Sequence, residues 1–369
     1  MDRPLLGITM GDPTGVGPEV IVGAWHAAAA HHAARLVVLG RAGVLRRAVS
    51  LLNSQIQVVD VAAPEEIQSG VDILPCISCG NAAADRAPPA AVDARGGQAA
   101  YDALLLATEL ALSQRLDGVV TAPLNKTALR AAGHVYPGHT ELLTDLCGAG
   151  QTAMMLYLND RSVVHGRVGL GVVHVTLHMA LRDIFQQLNT DAIRAKIELA
   201  DTVIQSFLDD LGESRRPRLA VCALNPHAGE TGLFGDEEQR IISPAVRSAE
   251  EDGLNVQGPF PTDTLMMRAA KGEFDAVVAM YHDQGHIALK LLGLHRAVNI
   301  TLGLPIVRTS VAHGTAFDLA WQGRAETAGM LEAIRVAAQL ARHRGRSPVV
   351  KNHAPSVPIQ RSECAAEPS

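Results

Sequence analysis

Three histidines stand where short apolar runs give way to polar residues: His178 after residues 168–176, His227 after 218–224 and His282 after 276–281. One such histidine means little. Three on separate strands can converge on a cleft, and three imidazoles with open coordination positions make a catalytic site for a divalent metal. Such a metal acts as a Lewis acid on a hydroxyl or a carboxylate. His282 opens the cluster His282-Asp283-Gln284-Gly285-His286, and Lys290 follows within reach of the same cleft if the chain turns into a helix. Asn299 and Arg308 lie on the next elements. A lysine and an arginine at one site imply an anionic substrate, because a guanidinium holds phosphate through two parallel hydrogen bonds. Asp263 and Asp283 add carboxylates for moving protons or orienting a hydroxyl. In the loop 133–141, His139 adjoins Gly138, Thr140 and Glu141, which places it better for binding than His134. Spacing alone allows a metal-assisted dehydrogenase, an aldolase-like lyase or a hydrolase.

Bringing these residues together requires strands. Residues 6–10, 35–40, 55–60, 117–123, 152–158, 168–176, 218–224, 276–281 and 297–310 read as strand-like, the last broken by Gly303 and Pro305. Residues 97–114, 191–211 and 331–342 carry a helical apolar period. The alternation predicts an α/β fold with mostly parallel sheets, which bind ligands beyond the carboxyl ends of their strands. The first strand runs into Gly11-Asp12-Pro13-Thr14-Gly15-Val16-Gly17-Pro18-Glu19, which is neither a GxGxxG fingerprint nor a P-loop. It is either a backbone-lined anion cradle or a tight strand-to-helix turn. Residues 258–261 read as a turn. Residues 344–369 lose all periodicity and are expected to be a disordered tail.

Composition narrows the classes. The chain has 369 residues, enough for about two domains. Aromatics are only 3%, so the core must be built from Ala, Val, Leu and Ile. A net charge of −6 excludes a general nucleic-acid binder. No apolar stretch reaches the length of a membrane span, and the N-terminus lacks signal-peptide features, so a cytoplasmic location is expected. Five cysteines make no disulfide framework. The Cys76–Cys79 CxxC has no second pair to complete a zinc site and no thioredoxin-like context, and we read it as structural or incidental.

The motifs MGDPTGVGPE, TAPLNK, GHTE, LNPHAGE, PTDT, YHDQG and NITLGLPIVRTS occur in one order. Together they resemble the 4-hydroxythreonine-4-phosphate dehydrogenase (PdxA) family from about Leu6 to Met330. The resemblance implies two α/β/α domains related to the isocitrate and isopropylmalate dehydrogenases: residues 1–135 with 300–343, and residues 136–299. The second would carry the metal ligands and the interface of a homodimer, with the active site in a cleft between domains. His178, His227 and His282 would be the ligands of a divalent metal (Zn, Mg, Mn or Co), at least one reaching across the dimer. His139, Thr140, Lys290, Asn299 and Arg308 would contact substrate, and Lys290, Asp263 and Asp283 would serve catalysis. The family oxidises a hydroxyl β to a carboxylate with NAD and then loses carbon dioxide; the residues that bind NAD are not assigned. Some positions depart from the family pattern: Ala312 replaces a common aspartate, residues 177–181 read LHMAL, and Trp321 stands where a small residue is common. His286 resembles the branch acting on 4-phospho-D-threonate or D-erythronate. Alternatives are a cyclic dihydrodiol (terephthalate-type) dehydrogenase and a non-catalytic sensor of a phosphorylated ligand.

Overall fold

The sequence alternates short Val- and Leu-rich runs with amphipathic segments, and the runs all join one sheet. The computed structural model describes residues 3–343; the tail expected from 344 lies outside them. The strands are β1 (Leu5–Thr9), β2 (Arg35–Gly40), β3 (Gln57–Asp60), β4 (Ile73–Ser78), β5 (Gly118–Thr121), β6 (Ala153–Leu158), β7 (Leu170–His174), β8 (Leu219–Cys222), β9 (Val256–Phe260), β10 (Ala276–Ala279), β11 (Val298–Leu302) and β12 (Arg308–Val311). They form one 12-stranded sheet in the order β3-β4-β2-β1-β5-β12-β11-β6-β7-β10-β8-β9. The outer blocks, β3 to β12 and β7 to β9 in that order, are parallel within themselves. At the centre β11 is antiparallel to both β12 and β6, and β6 is antiparallel to β7. The fold is α/β and mostly parallel, as expected, and the two predicted segments share a continuous sheet.

The strand-like segment 297–310 resolves into β11 and β12, with Gly303 at φ 79° turning the chain between them. A Cβ there would come within 2.1 Å of the Gln151 carbonyl, so glycine is required. Residues 258–260, read as a turn, instead complete β9 on the sheet edge. Strand β4 gave no clear sequence signal, yet it is buried between β2 and β3.

Alternation along the strands sorts the apolar residues by face. One face carries a single core running under Ile8, Val38, Val120, Ile300, Met155, Val173 and Val278, closed by the helices Thr190–Asp210 and Ala328–Ala341. The opposite face carries two separate cores. One centres on Val37, Val119 and Leu104 beneath the helix Ala94–Leu112, the other on Leu156, Val172, Val277 and Leu289 beneath the helix His282–Gly293. Between these two cores, over β12 and β11, the sheet presents polar side chains. At the far end of β10, the fully buried Asp275 carboxylate is gripped by Arg215 (2.6 Å) and Arg218 (2.9 Å).

The glycine-rich turn is closed on itself. Asp12, buried, accepts from the Thr14 amide (2.9 Å) and hydroxyl (2.7 Å), while the Gly15 and Val16 amides donate to Asp12 and Thr315 carbonyls. Those donors are committed, which supports the tight-turn reading over an anion cradle. Trp321 braces the turn: its indole donates to the Pro13 carbonyl (3.0 Å), its backbone amide donates to buried Glu19, and Arg47 lies 4.5 Å over its ring.

Candidate functional site

The polar gap is a cavity of about 260 Å³. One wall belongs to the helix His282–Gly293, which starts directly after β10. Gln284 anchors that start, accepting from the Met280 amide (2.7 Å) and donating to the Ala223 carbonyl (2.7 Å). Gly285 lets the helix approach β7, because a Cβ would lie 2.5 Å from His174 Nε2. His282, His286 and Lys290 recur at helical i, i+4 spacing, so all three face the cavity. His282 donates a hydrogen bond from Nδ1 to Asp283 (2.7 Å), which in the neutral ring leaves Nε2 as the acceptor. The His178 ring is 5.8 Å from that of His282, centroid to centroid. Glu141 Oε1 sits 3.8 Å from His178 Nδ1, and this neighbour draws the Glu141 carboxyl below its ordinary range despite burial.

The opposite wall is cationic. Arg308, 3% exposed, projects from β12 and donates to Thr301 (2.9 Å) and Thr121 (2.6 Å), both neutral hydroxyls, while its Nε has no partner. Burial pushes the guanidinium down to about 9, partly opposed by Glu141. Lys126, at the start of the helix after β5, and Lys290 add two more cations, and among the described residues Glu141 is the only carboxylate lining the cavity. His139, at the N-terminus of the helix His139–Leu146, is held neutral by burial and by the adjacent Arg308 and Lys126, well below the usual imidazole range. Thr140 and Asn299 also line the cavity, and the enclosed Oδ1 of Asn299 lacks a donor.

Of the expected ligands, the structure brings His178 and His282 together within the chain and leaves His227 apart. His227 stands exposed on the left-handed stretch His227–Thr231 after β8, beside Phe234 (6.4 Å). Among the described residues no group of three or more His, Cys, Asp or Glu side chains could hold a metal. Asp263 is also away from the cavity, accepting from the Thr264 amide at the surface (2.9 Å). Asp283 is exposed and acts on His282 rather than on the cavity. Burial pushes the Cys76 and Cys79 thiols up to about 12, so both remain protonated, in keeping with the structural reading. Ala312 lines the cavity, at the position where the family resemblance expects an aspartate.

Sequence reading missed His174. It ends β7, 1% exposed, with Nε2 3.0 Å from His286 Nδ1. Burial, then the neighbouring His286, pushes its ionisation down to about 3. Its only sequence signal is an imidazole interrupting the apolar run Val172-Val173-His174-Val175. Lys126 and Thr121 belong to the motif TAPLNK, whose residues the sequence reading leaves without roles.

Residues 32–337 match the family of pyridoxal phosphate biosynthetic protein PdxA. The chain belongs to the PdxA family. Among curated PdxA-type relatives, a D-threonate 4-phosphate dehydrogenase of Salmonella typhimurium is 44% identical over 92% of this chain and 100% of its own length. A 4-hydroxythreonine-4-phosphate dehydrogenase of Geobacter metallireducens is 42% identical over 93% and 97%. The crystal structure of a 4-hydroxythreonine-4-phosphate dehydrogenase from Klebsiella pneumoniae superimposes with a TM-score of 0.79 at 42% identity, covering 92% and 99%. A terephthalate 1,2-cis-dihydrodiol dehydrogenase from Burkholderia xenovorans gives 0.61 at 29% identity, covering 91% and 98%. Among the described residues no helix is long and apolar enough to cross a membrane.

Proposed function

We propose that this PdxA-family chain oxidises the 3-hydroxyl of a 4-phosphorylated hydroxy acid with NAD and decarboxylates the resulting 3-keto acid. The preferred substrate is 4-phospho-D-threonate or D-erythronate, ahead of 4-hydroxythreonine 4-phosphate. One observation carries this reading: a buried guanidinium, Arg308, without a carboxylate partner in a cavity where three cations meet one carboxylate. A buried charge is costly unless paired, so such a pocket is built for an anion. Phosphate and carboxylate supply it; a terephthalate-type dihydrodiol, a dicarboxylate, would supply carboxylates but no phosphate. With Ala312 in the lining and a single acid at Glu141, a substrate ammonium would have little to meet, which favours the hydroxy acid.

Arg308 and Lys126 would hold the phosphate, so binding energy remote from the reaction positions the reacting carbon. His139, kept neutral, and Thr140 would hydrogen-bond substrate oxygens, and Asn299 Oδ1 would accept from a hydroxyl. Lys290 is assigned to anchoring the substrate or to proton transfer. His178 and His282 would hold a divalent ion, with His227 of a second copy as the third ligand. When bound, such an ion polarises the hydroxyl and stabilises negative charge on the oxidised product. A homodimer is supported by the exposed Leu181, Phe185, Leu233, Phe234, Ile287 and Leu291, all within 136–299. The test is to mix protein, divalent metal and NAD with a panel of 4-phosphorylated hydroxy acids and follow absorbance of reduced cofactor. Reduction with the threonate or erythronate compound is expected, and none with any member would sink the proposal.

A further inference from the structure

We propose that His286 reads a substrate hydroxyl through an unprotonated Nε2, and that buried His174 is the positioning residue that fixes this tautomer. The inference rests on the substrate class proposed above and goes beyond it, to the atom that recognises the group on carbon 2.

The chain of contacts begins at a backbone carbonyl. His174 Nδ1 faces the Met154 carbonyl at 3.4 Å, and a carbonyl can only accept. The proton of a neutral His174 therefore resides on Nδ1, and its Nε2 is an acceptor. His174 Nε2 meets His286 Nδ1 at 3.0 Å, so His286 must donate from Nδ1. A neutral His286 is then left with a lone pair on Nε2, and its ring lines the cavity. The reverse tautomer would aim a His174 lone pair at the Met154 oxygen. Gly285 holds this geometry, since any side chain there would collide with the His174 ring.

The lone pair does not serve the same ion as His282. The two rings are stacked, with centroids 3.8 Å apart and planes 13° from parallel. An imidazole ligates through its in-plane lone pair, so the near-parallel, stacked planes direct the lone pairs of His282 and His286 toward separate sites. What remains for His286 Nε2 is a hydrogen-bond donor on the substrate, next to the carbon handled at His282. A 2-hydroxyl supplies one. Lys290, one turn further along the helix, disfavours an ammonium in that place.

The experiment compares 4-phospho-D-threonate with its 2-deoxy counterpart, 3-hydroxy-4-phosphobutanoate, in metal-loaded enzyme. Wild type should favour the 2-hydroxy compound in kcat/KM by about tenfold or more, the size of one well-made hydrogen bond. His286→Leu should bring the ratio close to one without loss of bound metal. His174→Leu should lower the ratio in part, and His174→Gln, which keeps an acceptor opposite His286, should restore it. A ratio unchanged in His286→Leu, or metal lost from that variant, overturns the inference. Nitrogen-15 NMR of the wild-type histidines decides the tautomers without turnover: Nδ1-protonated His174 and His286 are expected, and a proton on His286 Nε2 overturns the assignment. Should wild type reduce NAD with neither compound, the substrate proposal fails, while the NMR result still judges the tautomer.

Discussion

The two faces of the central sheet are built from the same short strands and could hardly differ more. On one, Ile300, Met155 and Val120 join a core that runs unbroken across both parallel blocks. On the other, the apolar packing stops on either side of β12 and β11, and Arg308, Ser310 and Asn299 occupy the gap. Neighbours on one strand serve opposite ends: Thr309 donates to the Ala333 carbonyl in the closed core (2.8 Å), while Arg308 lines the cavity and donates to Thr301 (2.9 Å). The continuous face holds the molecule together so that the interrupted face can keep a desolvated charge.

Breaking the interrupted face at His282 should have the largest effect. His282→Ala is expected to lose metal and to cut turnover by at least about a thousandfold with the fold intact, since a bound ion supplies several kcal/mol to this chemistry. Metal analysis and circular dichroism check this, and unchanged metal content would falsify the ligand assignment. The converse lesion, Ile300→Ala on the continuous face, should cost about 2–5 kcal/mol in denaturant unfolding while KM of the folded enzyme stays the same. Arg308→Met should separate the two roles. Affinity for phosphorylated ligand falls about a hundredfold, yet thermal stability holds or rises because an uncompensated buried cation is gone. Asp283→Asn should loosen the His282 ring and weaken metal binding about tenfold in a competitive chelator titration.

The smallest effect is a titration. Removing the Arg308 charge should move the ionisation of His139 upward, as NMR would detect. While it is depressed, the folded state binds fewer protons at this site than the unfolded chain below about pH 6.5, so the site subtracts stability as pH falls through that value. Arg308→Met should soften that acid loss.

Much of the site was legible because strand ends concentrate polar residues. His282, His178, Lys290, Asn299, Arg308, His139 and Thr140 all line the one cavity. His227 and Asp263 read equally well from their motifs, but motif order does not tell which loop a single chain folds inward. His174 was hidden because its partner, His286, is 112 residues away and its own neighbours in the chain are apolar. The central antiparallel strands were hidden for a related reason. A run such as 297–310 shows period and breakage, whereas strand direction depends on partners that the run does not contain.

The Arg308–Thr121 contact joins residues 187 positions apart, and β12 seals β5 against β11. The anion pocket therefore has no early version during synthesis. When β1 to β5 leave the ribosome, the edge of β5 stays open while nearly two hundred further residues are made. Pairing over so long a loop is slow. The nascent first block must survive with an unpaired edge strand, and the last strand to arrive completes the sheet and delivers the guanidinium in the same step.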